Sequence, residues 1–161
     1  AGVLLCAGGV ALAVRMARWR GWQTVSEPLV VILHIGYLWL AVSLGLLGLS
    51  ALIPEVIDGA SAVHGLTTGA IGTMTLAVMT RATLGHTGAE LTADRATVAI
   101  YVLVTSGALL RVLAALSADG YVMLMTLSGL LWSGAFAVFL LSYGPRLLGS
   151  EAGGAVRAKA G

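Results

Sequence analysis

From Pro28 to Ile53 the chain carries no Asp, Glu, Lys or Arg. A helix needs about 20 predominantly apolar residues to cross the hydrocarbon of a bilayer, and this run exceeds that. Comparable runs follow at about 61–84, 94–116 and 121–142, separated by short polar connections. Within lipid every backbone N–H and C=O must find its partner inside the protein, which at these lengths means helices. The predicted fold class is therefore all-α, a polytopic transmembrane helical bundle over residues 1–146. It has four complete spans and a truncated one at about 1–14, with a flexible tail at 147–161. Composition agrees: 58% of the 161 residues are hydrophobic and 10% charged, too little polar surface to clothe a soluble globule of this size.

The charges lie mostly between the runs. A formal net charge of +2, with no basic stripe, excludes nucleic acid as a partner and leaves the lipid bilayer as the expected one. If the spans alternate, Arg15, Arg18, Arg20, Arg81, Arg95, Arg146, Arg157 and Lys159 all fall on one side. The positive-inside rule makes that side cytoplasmic and puts the C-terminus there, with 54–60 and 117–120 outside. The opening run lacks the charged start and cleavage site of a signal peptide. It is expected to be the end of a helix beginning upstream, with further N-terminal spans completing the bundle. Cys6 stands alone in that run and reads as a small hydrophobe. A single cysteine excludes an intrachain disulfide, and without C-x-x-C-H there is no covalent c-type haem attachment.

The third span is unlike a plain anchor. Its sequence from Ala62 to Gly88, AVHGLTTGAIGTMTLAVMTRATLGHTG, is rich in small and hydroxylated residues and has a histidine near each end. Small residues let a second helix or a flat ligand approach the backbone. At about 100° per residue, Thr68, Ile71, Thr75, Met79 and His86 fall within roughly 60° of the line through His64, with Gly65 and Gly72 on its flank. Gly65 and Gly69 also form a G-x-x-x-G pair, the usual device of helix packing.

This stretch resembles the signature of the NnrS family, bacterial membrane proteins associated with haem, copper and nitric oxide metabolism. The resemblance extends to RWRGWQTVSEPLVVILHIGYLWL, YVLVTSGALLRVLAAL and SYGPRLL, covering most of residues 15–148. It implies a multi-pass protein of the bacterial inner membrane, with b-type haem and copper as metals and nitric oxide or an iron-nitrosyl species as ligand. The implied role is nitric oxide metabolism or defence against nitrosative stress.

The residues that would carry such chemistry are few. His34 lies two turns into the second span, where an imidazole must either hydrogen-bond or bind a metal. His64 and His86 lie at opposite ends of the third span, roughly 33 Å apart at 1.5 Å per residue, so they cannot ligate one ion. His34, His64 and His86 are the candidate metal ligands, contributing to two or more sites; His86, in a polar turn, is also readily solvated. Arg111 in the fourth span costs about 2.5–3.5 kcal/mol if central, unless it snorkels. It suits a haem propionate or, structurally, Asp119 or the headgroups. Gly65, Gly69 and Gly72 are the candidate points of close ligand approach. No phosphate loop, H-E-x-x-H motif or nucleophilic triad is present, so no catalytic residue is assigned. The alternative to a haem protein is a transporter or permease, with a path lined by small residues through the third span and Arg111 as substrate-charge partner.

Overall fold

A computed structural model of the chain describes residues 1–149 except Arg20 and Ala118, and the backbone alone at Trp22. Five helices account for its architecture: α1 Gly2–Ala17, α2 Pro28–Leu52, α3 Gly59–His86, α4 Arg95–Ala114 and α5 Tyr121–Gly149. The last four are each long and apolar enough to cross a membrane. Among the described residues there is no strand.

Local chemistry sets the helix ends. Pro28 occupies the first turn of α2, where its missing N–H is not needed. The Asp58 carboxylate accepts the Ser61 N–H at 3.3 Å and starts α3. Asp94 accepts the Thr97 N–H at 2.8 Å and the Thr97 hydroxyl at 2.7 Å, capping α4. After α3 the chain turns at Gly88, whose φ of 68° favours glycine. There Ala89 N–H donates to Leu84 O and Gly88 N–H to Gly85 O, the pattern of a Schellman stop.

These hydrogen bonds hold the Asp94 carboxyl below the ordinary carboxylate range, the Thr97 backbone N–H first, its hydroxyl and the Arg146 guanidinium adding to it. A depressed folded pKa contributes stability above the unfolded value and loses it as pH falls through the folded one. At neutral pH Asp94→Ala is expected to cost about 1 kcal/mol. That gap from wild type should narrow below about pH 4 in detergent-micelle unfolding titrations. A gap that stays constant with pH would mean the carboxylate charge plays no part.

Packing is antiparallel along the chain order. α1 lies on α2 through glycines: a Cβ on Gly9 would meet Ala41 O at 2.8 Å, and one on Gly48 would meet Cys6 Sγ at 2.5 Å. α4 and α5 come into backbone contact at Gly107, where a Cβ would stand 2.9 Å from Trp132 N. Ser128 Oγ donates to Gly107 O there at 2.7 Å. The apolar core lies between α2, α3, α4 and α5, with Ile32, Leu76, Ile100, Val104 and Phe139 at its centre. Hydroxyl pairs tie the same helices together, Thr80 to Tyr101 and Thr97 to Tyr143, each at 2.6 Å.

Two expectations are corrected. The last span does not end at about 142; α5 continues to Gly149 through Pro145, so 147–149 are helical, while the rest of the expected tail, 150–161, lies outside the described residues. Proline removes one ladder bond, but tertiary contacts hold both sides of it. Tyr143 is bonded to Thr97, and Arg146 pairs with Asp94 at 3.6 Å while lying over the Tyr143 ring.

The second correction concerns α3. Between its two α-helical parts, Gly59–His64 and Gly72–His86, lies a π-helical segment, Gly65–Ile71. Gly72 N–H reaches back to Thr67 O, one residue beyond an α-helical partner. An extra residue in a turn rotates everything after it by about 100° relative to what precedes it. The predicted polar line is therefore broken: Ile71, Thr75, Met79 and His86 are exposed, and Gly72, Thr73, Leu76, Thr80 and Thr83 turn inward instead. Trp132 on α5 reaches into this segment and donates its Nε1–H to Thr68 O at 3.3 Å.

Candidate functional site

Two polar constellations lie within the bundle, toward opposite ends. Arg15, Arg81, Arg95 and Arg146 stand where α1, α3 and α5 finish and α4 begins, which defines a basic end; His34 lies two turns into α2 from that end. Its Nδ1 is 3.0 Å from Val30 O. A carbonyl only accepts, so Nδ1 carries the hydrogen, and in the neutral ring the lone pair is left on Nε2. The same arrangement fixes tautomer and ring orientation in metal-binding histidines.

Around this imidazole is a cavity of about 320 Å³ between α1, the 3₁₀ turn Gly21–Thr24 and α2, lined by Met16, Val25, Val31, Ile35 and Leu38 among others. Gly21 faces the ring: a Cβ there would come within 2.8 Å of His34 Cδ2 and 3.1 Å of Nε2. Trp19 presents its ring edge-on to His34, with centroids 6.0 Å apart, and stacks at a tilt on Tyr37 at 4.6 Å. The Tyr37 hydroxyl is buried with no partner among the described residues. Such a group calls for an explanation beyond packing.

At the other end His64 meets Arg111, with Nε2 and Nη2 3.3 Å apart. The guanidinium can only donate, so the His64 Nε2 lone pair is engaged. Arg111 lies in the last turn of α4, and its Nε is buried without a partner among the described residues. No ion pair joins it to Asp119 among those residues. A cavity of about 550 Å³ opens beside the pair, with Asp58, Ser61, Ser117, Tyr121 and Met125 on its walls.

The other predicted residues stand apart. Ser43 of α2 lies beside Gly65, and His34 is nine residues back along α2, so His34 and His64 are separated by roughly 13 Å along the helix axis. His86 is exposed at the end of α3. Among the described residues no three or more His, Cys, Asp or Glu gather where one metal ion would sit. Neighbouring helices fill the space at the three glycines: Ser43 at Gly65, the Trp39 ring at Gly69 and the Trp132 ring at Gly72. A Cβ on Gly69 or Gly72 would stand 2.6 Å from those indoles.

Sequence reasoning missed Met16 and Gly21 at the His34 cavity and the two tryptophans seated on glycine. A signal for the first existed in the antiparallel register of α1 and α2. None existed for the tryptophans, whose contacts depend on helix rotation. No curated protein and no solved structure matches the chain. The family model described as NnrS protein matches residues 1–150, so this integral membrane bundle belongs to the NnrS family.

Proposed function

We propose that this protein binds b-type haem in the membrane and handles nitric oxide, with His34 as the iron ligand. The observation that carries this reading is the bare Nε2 of His34, oriented by its own helix and facing an apolar cavity that a single Cβ at Gly21 would crowd. An axial haem ligand needs those features: a ring nitrogen with a free lone pair, a fixed ring and an apolar surround. His64 lacks the first requirement while Arg111 holds its Nε2. That pair instead offers a cationic group for a carboxylate such as a propionate. When bound, ferrous haem supplies the affinity for diatomic ligands that protein side chains lack. Copper, the other metal implied by the family resemblance, would draw ligands from beyond these histidines, including further spans of the same protein.

The test is the absorption spectrum of the full-length protein purified in detergent from haem-replete cells. A Soret band that shifts on reduction and again on addition of nitric oxide is the expected result; a colourless protein that still folds would end this reading.

The reading also places the protein in the bacterial inner membrane with the basic end and C-terminus in the cytoplasm. Single cysteines introduced at Thr92 and Glu55, in a variant with Cys6 replaced by alanine, should label oppositely. In intact cells an impermeant maleimide should react at position 55 and not at 92.

A further inference from the structure

The cavity at His34 holds a second donor atom. We propose that Met16 is the other protein ligand to the iron that His34 binds, through its thioether sulfur; this rests on the haem reading of His34. Two independent observations bring the residues together. Met16 and His34 line the same cavity. The α1–α2 register also requires it: Gly2 sits at Leu52 and Gly48, Cys6 at Gly48, and Gly9 at Ala41 and Gly45. Continuing that antiparallel register by seven residues, two helical turns, carries Met16 to the level of His34 and Leu38.

The chemistry of the lining singles out these two side chains. Ala17, Gly21, Val25, Val31, Ile35 and Leu38 complete the wall and contribute no side-chain nitrogen, oxygen or sulfur. The remaining side-chain donors are an imidazole and a thioether, a soft pair suited to iron in haem and unsuited to a hard cation. Met16 is in the last turn of α1 and half-buried, and its unbranched side chain can adjust to what enters. A methionine with a histidine raises the reduction potential of haem, so the site favours the ferrous form. It also makes Met16 the ligand that nitric oxide has to displace.

The experiment compares wild type, Met16→Leu, Gly21→Ala and His34→Ala as full-length proteins loaded with haem in detergent. Leucine keeps the volume of methionine, so Met16→Leu should retain haem. It should lose the red charge-transfer band of sulfur-ligated ferric iron seen in wild type, and its reduction midpoint should fall. Gly21→Ala removes no donor but crowds His34 Nε2, and haem occupancy should drop. If Met16→Leu retains both band and midpoint, Met16 is not a ligand and the His34 reading stands. If wild type takes up no haem, or His34→Ala keeps it unchanged, both assignments fail.

Discussion

His34→Ala is expected to strip the protein of haem while leaving the bundle folded. Removing a partner that merely orients a metal-binding histidine typically weakens binding 10- to 100-fold. Loss of the ligand itself should therefore exceed roughly 100-fold, enough to abolish the Soret band at ordinary loading. The fold should survive because His34 is half-buried and bonds within its own helix, to Val30 O. Its removal leaves that carbonyl in the α-helical ladder and breaks no hydrogen bond between helices, only the ring contact with Trp19. His64→Ala is the informative control. With Nε2 occupied by Arg111, His64 should be dispensable for the Soret band, so a loss of haem equal to that of His34→Ala would move the iron to the other end of the bundle. Helical content by circular dichroism separates loss of haem from loss of fold.

Gly107→Leu is expected to produce the largest loss of stability. Even one Cβ at this position stands 2.9 Å from Trp132 N and 3.1 Å from Ser128 O, backbone atoms that no rotamer change can move aside. α4 and α5 would have to part, breaking the hydrogen bond from Ser128 Oγ to Gly107 O. Overpacking typically costs 1–3 kcal/mol, and an interhelical hydrogen bond in a membrane about 0.6. Together they suggest about 3 kcal/mol, measured by unfolding in mixed micelles. Gly134→Leu on α5, where a Cβ would meet nothing within 4 Å, should be nearly neutral. Equal effects at the two positions would show that helix propensity, not contact between α4 and α5, governs stability here.

The number of spans was legible because hydropathy and length act locally. A run such as Pro28–Leu52 reports its own burial in lipid whatever lies beside it. The caps at Asp94 and Pro28 obey equally local rules, since each satisfies or spares N–H groups within one turn. The end of the last span lies beyond the expected 142 because the helix-breaking preference of Gly144-Pro145 is outweighed by Tyr143 and Arg146 reaching back to the start of α4.

Amino-acid order alone determined that this chain is an all-α membrane protein and which few polar side chains its spans carry. Only the tertiary structure decided where those side chains point. The π segment at Gly65–Ile71 rotated half of α3 away from the line drawn through His64. Trp39 and Trp132 took the space at Gly69 and Gly72, and Arg111 took the His64 lone pair. The antiparallel packing of α1 on α2 set Met16 and His34 on the wall of one cavity. Hydropathy is a property of each segment and survives any rotation about its axis. A ligand set belongs to the relative rotation and register of several helices, which arise only when they pack.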